Sequence, residues 1–365
     1  MRRTRALIAG GGPAGAIAAM LIARDGERPL VLERTHAPQD ALCGGFLSWR
    51  TLETLARAGV DPAALGGHNV RRARLFAGTR QAEAMLPAPA IGLSRRVLDA
   101  VLIDHARTAG AAVERGVAIR AAEGRTLRTG DGATIVGDAL FLATGKHDLR
   151  GLARPVPIEQ DPAMGVRVRL AAAPALTRMV GDAIELHLFD GGYAGLVLQE
   201  DGSANLCMAL RRSRLTAIGT LPALLDRLAD ECPALCDRLA HMAPGAPIDA
   251  IANVPYGWRT GDTAPGIFRL GDQAGVIPSL AGEGMGIAIA SGVRAARTFA
   301  RSGAEGAAGY QRDLARAMRR PLGVAGVVRA LTERPVGGRM LMGGARLPGL
   351  LALVAATTRI GSPGD

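Results

Sequence analysis

Gly10-Gly11-Gly12-Pro13-Ala14-Gly15 follows a short apolar run that ends at Ala9 and precedes an Ala-rich stretch reaching about Asp25. A G-x-G-x-x-G turn wedged between a strand and a helix leaves few folds open to a chain. Gly10 permits the tight turn, Gly12 lets backbone approach a pyrophosphate, and Gly15 lets the helix pack close to the strand. The helix N-terminus adds oriented N–H groups and the positive end of its dipole. Pro29 to Glu33 reads as a second buried strand, so the chain opens as a βαβ unit with parallel strands. Glu33 ends that strand 18 residues after Gly15, where an acidic side chain can hydrogen-bond ribose hydroxyls. Gly10, Gly12, Pro13, Ala14, Gly15 and Glu33 are therefore the expected dinucleotide-binding residues.

Beyond this unit, helical periodicity marks Trp49–Ala58 and Arg95–Thr108, with a Pro- and Ala-rich excursion over residues 73–94 that reads as strands of a second layer. Ala111–Ala121 and Thr134–Ala143 read as further strands. Four candidate antiparallel strands follow at Met164–Ala171, Ala183–Phe189, Tyr193–Gln199 and Ala204–Leu210, with turn signals at Asp190-Gly191-Gly192 and Asp201-Gly202. An Ala/Leu-rich helical stretch runs from Leu215 to about Met242. Gly266–Leu270 returns as a strand, then a glycine-rich turn leads into a helix through Ala300. The rest is helical, broken at Pro321, Pro335 and Pro348. The expected fold class is α/β: a discontinuous cofactor domain (residues 1–72, 95–155 and 265–302), an inserted β-rich substrate domain (73–94 and 156–264) and a C-terminal helical region (303–365).

Composition narrows the function. The net charge of +11 comes from Arg spread thinly along the chain, and aromatics make up only 3%, too few for base-stacking platforms. Nucleic acid is not the expected partner; an anionic cofactor, an acidic membrane surface or composition bias accounts for the charge. Of 44 basic residues, Lys146 is the only lysine. Cys43, Cys207, Cys232 and Cys236 form no CxxC pair, and the six histidines form no HExxH-type cluster, so no metal is expected and the cysteine usage fits a reducing cytoplasm. Cys232 and Cys236 read as two small buried residues on one helix. Met1-Arg2-Arg3 and the apolar stretch after it mimic a signal peptide, but a strand and helix account for every residue there. No segment reaches the roughly 18 apolar residues that span a bilayer; the run Leu347 to Ala356 is short and contains Pro348.

The glycine fingerprint does not choose between NAD and FAD; the C-terminal half does. Gly271-Asp272-Gln273-Ala274-Gly275, then Pro278, then Gly282-Glu283-Gly284-Met285-Gly286, follows a strand and opens a helix. An Asp here can hold a ribityl hydroxyl, and N–H groups at a Gly-rich helix start can face a flavin ring where negative charge develops on reduction. FAD is the expected cofactor.

On these segments, with Arg34 after Glu33, Arg95 with Leu98-Asp99, and Ala143-Thr144-Gly145, the chain resembles the FAD-dependent family of aromatic hydroxylases, flavin-dependent halogenases and geranylgeranyl reductases. Within it, Cys43-Gly44-Gly45 with Leu47-Ser48, the pair Gly192-Tyr193, and Pro278 through Gly284 are most similar to the geranylgeranyl reductase branch. The resemblance implies a glutathione-reductase-type FAD domain whose flavin is roofed by the inserted sheet. It adds Arg34, Cys43, Gly44, Gly45, Arg95, Thr144, Gly145, Gly271, Asp272, Pro278, Gly282, Glu283, Gly284, Met285 and Gly286 to the cofactor-binding residues. The branch's tryptophan and Phe-Pro after the tyrosine are replaced here by Ala194-Gly195-Leu196-Val197, so the pocket differs. Where hydroxylases carry an Asp-Gly pair associated with NADPH, this chain has Ala143-Thr144-Gly145-Lys146.

The expected activity is two-electron redox chemistry on a bulky apolar molecule: reduction of a carbon–carbon double bond, or, alternatively, hydroxylation of an aromatic or polyketide-like substrate with NAD(P)H and oxygen. NAD(P)H is the expected electron donor. Cys43 is the candidate catalytic side chain, reading equally as a small buried thiol in a tight glycine turn; Phe46, Tyr193 and Trp258 are candidate substrate contacts, with Tyr193 and Trp258 reading equally as ordinary core aromatics. Lys146, directly after Gly145, is either the chance survivor of an Arg-biased composition, the plainer reading, or a position that needs a compact, pKa-adjustable ammonium. His187 alternates with Leu186 and Leu188 and reads as exposed or as a satisfied core residue. The basic C-terminal helices from Arg319 to Arg359 fit either domain capping, the plainer reading, or a face lying on a membrane.

Overall fold

The computed structural model describes residues 2–157, 159–345 and 349–361; Leu347 and Pro348 of the late apolar run lie outside them. The chain begins with β1 (Arg2–Ala9), α1 (Pro13–Arg24), β2 (Leu30–Glu33), β3 (Phe46–Leu47) and α2 (Trp49–Arg57). A long hairpin, β4 (His68–Ala77) and β5 (Arg80–Gly92), precedes α3 (Arg95–Thr108), β6 (Ala112–Arg115), β7 (Ile119–Glu123), β8 (Thr126–Thr129) and β9 (Thr134–Leu142). Next come β10 (Ala163–Leu170), α4 (Pro174–Val180), β11 (Ala183–Phe189), β12 (Gly192–Leu198) and β13 (Ala204–Arg211). Three short helices, α5 (Arg212–Ile218), α6 (Leu221–Glu231) and α7 (Pro233–Leu239), lead to β14 (Asp249–Val254) and β15 (Ile267–Arg269). The chain closes with α8 (Gly284–Ser302), α9 (Ala307–Thr332), α10 (Pro335–Ala345) and α11 (Leu350–Thr357).

The first sheet runs β6-β2-β1-β9-β8-β7, with β15 beside the end of β9; β6, β2, β1, β9 and β15 are parallel and β7-β8-β9 is an antiparallel meander. Its central strands read as unbroken apolar runs because both faces are covered. Ala6, Ile8, Val31, Phe141 and Phe268 pack with α1, α3 and α8 on one face, while Leu7, Leu32, Leu140 and Ile267 fill the other. The segment 111–121 is two strands rather than one: β6 lies in the parallel array, Gly116 at φ 76° turns the chain, and β7 joins the meander.

The second sheet runs β14-β10-β13-β12-β11-β4-β5-β3. All its pairs are antiparallel except β11 with β4, so the two parts of this sheet, distant in sequence, meet at one parallel seam. Leu196, Leu198, Leu206, Met208 and Leu210 pack under α4, α6 and α7. Tyr193, Leu188, Ala209 and Leu75 occupy the opposite face, with Leu280 and Met342. β3 and the start of β4 pair here as well, so this sheet takes in residues that a boundary at position 72 leaves with the first.

The helical stretch after Leu215 breaks at Gly219 and again at Cys232-Pro233. Cys232 is buried and Cys236 exposed, which corrects the reading of two buried residues. His187 is buried, its ring stacked on Phe76 at 4.5 Å and its Nε2 3.2 Å from Glu185. Arg238 from α7 and Arg74 from β4 complete the ion cluster on Glu185. Burial works to raise the Glu185 carboxyl, but its His187 and Arg238 partners prevail and bring it to about 2.

Candidate active site

A cavity of about 810 Å³ lies where the C-terminal ends of β1, β2, β9 and β15 meet the second sheet. Ligands in open α/β sheets bind at this edge. One part is bounded by the fingerprint turn. Gly10, at φ 106°, turns under Ala143, and a Cβ at Gly15 would stand 2.0 Å from the Gly10 carbonyl oxygen, so the helix can approach only as glycine. Gly12 is the N-cap of α1, with Pro13 at its first position, and the Arg95 Nη2 lies 3.1 Å from where a Gly12 Cβ would be. A phosphate at that helix start therefore has N–H donors on one side and a guanidinium on the other.

Glu33 accepts the N–H groups of Gly11 at 2.7 Å and Thr35 at 2.8 Å and the Thr35 hydroxyl at 2.9 Å. Burial pushes its carboxyl upward, but those hydrogen bonds prevail and hold it below the usual range. Glu33 is thus a fixed anion on the cavity wall beside the fingerprint turn. Arg95 grips Asp99 at 2.7 and 2.8 Å; burial pushes the Asp99 carboxyl up, and Arg95 counters only part of that.

Asp272 stands across from this turn. The Lys146 Nζ lies 3.1 Å from its Oδ2, and two braces lock the opposing loops together. Arg154 donates to the carbonyls of Asp272 at 3.2 Å and Lys146 at 2.8 Å and to the Asp148 carboxylate at 2.7 Å. Gln273 Nε2 donates to the carbonyls of Gly145 at 2.9 Å and His147 at 3.1 Å. Added Cβ atoms at Gly44, Gly145 and Gly284 would meet nothing within 4 Å, so bare backbone borders the cavity at three points. An elongated dinucleotide with a planar ring fits this cradle.

The other part of the cavity lies under the second sheet, walled by Leu42, Cys43, Phe46, Cys207, Met208, Ile251, Val276 and Ile277. It carries two hydroxyls on its wall: the Tyr256 Oη is 2.8 Å from Ser279 Oγ, and Tyr193, buried behind, hydrogen-bonds the same Oγ. Burial raises the Tyr256 phenol, the Ser279 bond and the Lys146 charge opposing it. Burial likewise pushes the Cys207 thiol up to about 12, so it stands neutral.

Of the residues expected from sequence, Gly10, Gly12, Pro13, Ala14, Glu33, Arg34, Cys43, Gly44, Gly45, Phe46, Arg95, Thr144, Gly145, Gly271, Asp272, Gly282, Gly284 and Met285 line the cavity. Gly15, Pro278 and Gly286 lie behind its wall; a Cβ at Gly286 would stand 2.7 Å from Thr51 Oγ1. Three expected contacts are displaced. Glu283 turns its carboxylate away into a buried cluster with Arg359 at 2.6 Å and Ser48 at 3.1 Å. Tyr193 touches the cavity only through Ser279, and Trp258 is not in the wall but packs under the Arg154 guanidinium, 5.9 Å from its ring centroid. Tyr256, Ser279 and Cys207 also line the cavity, beyond the site residues expected from sequence. Tyr256, one of three tyrosines beside a Pro-Tyr-Gly turn, offered a weak signal, and Ser279 sits inside the loop already marked.

Residues 3–134 match the family described as "FAD binding domain". A curated menaquinone reductase of Mycolicibacterium smegmatis is 25% identical over 320 residues, covering 82% of this chain and 77% of that one. Among solved structures, Pseudomonas aeruginosa PqsL in complex with 2-aminobenzoylacetate superposes with a TM-score of 0.76 at 17% identity, over 94% of this chain and 100% of the other. A geranylgeranyl bacteriochlorophyll reductase-like protein of Thermoplasma acidophilum gives 0.74 at 18% identity, over 98% and 97%. By its matched N-terminal FAD binding domain and its curated relative the chain is an FAD-dependent oxidoreductase, and it shares its fold with PqsL, flavin-dependent halogenases and a geranylgeranyl bacteriochlorophyll reductase-like protein.

Proposed function

We propose that this protein reduces a carbon–carbon double bond in a bulky apolar molecule held between the flavin and the second sheet. The observation that carries the reading is the hydroxyl pair Tyr256–Ser279 on the wall of a chamber lined mainly by apolar side chains. When bound, FAD supplies a hydride from its reduced ring. Hydride addition to an alkene also consumes a proton, and Tyr256 is placed to hold one at its Oη. Its raised pKa keeps the phenol protonated near neutrality, while Lys146 and the Arg329 guanidinium, 5.0 Å from the ring centroid, ease loss of that proton. Ser279 aims the phenol and connects it to Tyr193. Leu42, Phe46, Ile251, Val276 and Ile277 exclude water and recognise hydrocarbon.

For the cofactor, we assign the pyrophosphate to the first turn of α1 beside Arg95, the adenosine ribose to Glu33, and the ribityl chain to Asp272. The backbone of Cys43-Gly44-Gly45, Gly145 and Gly282–Met285 then borders the ring, and Cys43 contributes a small neutral contact to its edge. NAD(P)H is the proposed donor. The curated menaquinone reductase supports a lipid-like substrate. Exposed Met85, Val327, Met340, Leu350 and Leu353, on β5 and three mutually packed C-terminal helices, support delivery from a membrane surface. No described helix is long and apolar enough to cross a membrane. The test is mass spectrometry of products after FAD-loaded protein, reduced anaerobically, meets a panel of unsaturated isoprenoid quinones and alcohols. A product still heavier by two hydrogens after air reoxidation of any hydroquinone supports the reading; a product formed only with oxygen, heavier by one oxygen atom, overturns it in favour of hydroxylation.

A further inference from the structure

Lys146 is unexplained by cofactor anchoring. The chain uses arginine for every other basic position, yet here, on the cavity wall, it places a lysine. The mount is unusually rigid. Arg154 and Gln273 tie the carbonyls of residues 145–147 to the Asp272 loop, so backbone motion cannot carry the ammonium away. Its Nζ meets Asp272 Oδ2 at 3.1 Å, which uses one of its three protons and leaves the others for the cavity. Asp272 holds the ammonium charged, raising its pKa against the opposite pull of burial.

Position separates its task from that of Arg95. Arg95 lies against Gly12 at the start of α1, on the phosphate side, and is already gripped by Asp99. Lys146 is held instead by Asp272, on the loop that leads to Ser279, and lines the same cavity as Tyr256 and Cys207, where its charge opposes the effect of burial on both. A ligand reaching from the α1 turn past Asp272 to Tyr256 therefore presents its far end to Lys146, and for FAD that end is the ring.

We propose that Lys146 tunes the flavin: its ammonium, fixed by Asp272 at the junction of the cofactor cradle and the substrate chamber, stabilises the negative charge the ring takes on when reduced. The proposal rests on the FAD reading above and adds a role for which arginine is poorly suited. A compact ammonium concentrates its charge near one ring edge, whereas a guanidinium spreads it and needs more room. A unit charge a few ångströms away at an effective dielectric near 20 is worth at least about a tenfold change in an equilibrium.

The experiment compares wild type with Lys146→Met and Lys146→Gln, each loaded with FAD and titrated against a reference dye during slow anaerobic reduction. Affinity for oxidised FAD is measured separately by calorimetry. The expected result is a reduced-to-oxidised ratio at a given dye poise at least about tenfold lower in both variants, about 30 mV more negative for a two-electron couple. Affinity for oxidised FAD should change less than threefold, and Lys146→Arg should recover only part of the shift. Unchanged potentials in variants that bind FAD overturn the proposal. Equal weakening of oxidised and reduced FAD also overturns it, making Lys146 a general anion contact. The Gln variant, which keeps a hydrogen bond to Asp272, serves if Met disturbs the loop. Failure of the wild type to take up FAD would overturn the cofactor reading instead.

Discussion

Replacing Arg359 by methionine isolates how the C-terminal segment holds the Gly282–Gly286 loop at the edge of the cavity. The Arg359 Nη1 donates to the Glu283 carboxylate at 2.6 Å and to the Ala281 carbonyl at 2.8 Å, and the guanidinium lies 5.1 and 5.8 Å from the Trp49 and Phe46 ring centroids. Both charged side chains are almost fully buried, at 6% and 1% exposure. Methionine keeps most of the apolar stem but leaves Glu283 with only the Ser48 hydroxyl and the Ile360 N–H. Stranding one member of a buried pair costs about 3–5 kcal/mol, and the two lost cation–π contacts add about 0.5–1 kcal/mol each, offset in part by the methionine's own packing. Urea unfolding at pH 7.5 should show Arg359→Met less stable by about 3–5 kcal/mol. Glu283→Gln in the same chain should restore all but about 1–2 kcal/mol, because no bare carboxylate remains.

The pH dependence has a definite sign. Burial raises the Glu283 carboxyl and Arg359 offsets only part of that, so the folded chain holds the proton to higher pH than the unfolded one. Its contribution is therefore full at low pH and declines as pH rises from the ordinary value of 4.5 through the raised one. Loss of Arg359 raises the carboxyl further. The deficit of Arg359→Met should be greatest above neutrality and shrink as pH falls toward 4.5. A loss under about 1 kcal/mol, or a deficit that grows on acidification, would refute the reasoning.

Gly15→Ala puts a Cβ 2.0 Å from the Gly10 carbonyl oxygen and should cut FAD retention on desalting at least tenfold. Glu185→Gln strands the buried Arg238, while Arg74 keeps Glu83, and should cost about 3–5 kcal/mol at neutral pH. Because the Glu185 carboxyl is depressed to about 2, wild type should lose that advantage as pH falls from 4.5 toward 2, so the two acid-unfolding curves converge there. Tyr256→Phe should lower turnover about a hundredfold while FAD affinity, measured by calorimetry, stays within twofold.

What the chain displays in sequence is what it builds locally. The Gly10–Gly15 turn, the acid at Glu33 and the strand edges around Tyr193 depend on neighbours a few residues away, so period and turn chemistry expose them. Glu283 shows where that logic ends. Its place in the glycine loop reads as a cofactor contact, yet a guanidinium 76 residues later turns the carboxylate inward. Lys146 stood out by residue type, but its partner Asp272 is 126 residues away, and its direction follows from braces by Arg154 and Gln273 that no spacing reveals. Tyr256 and Ser279 likewise meet only because the turn after β14 folds over the loop that begins at Pro278. The parallel seam between β4 and β11 is also non-local; local turns predict antiparallel neighbours only.

The most direct test of the central claim is flavin stoichiometry with reversible reduction. Purified protein is incubated with FAD, desalted, and followed by absorbance through anaerobic reduction and readmission of oxygen. One FAD per chain, bleaching on reduction and returning on reoxidation, is the expected result. A folded protein that emerges from desalting without flavin absorbance would contradict the account.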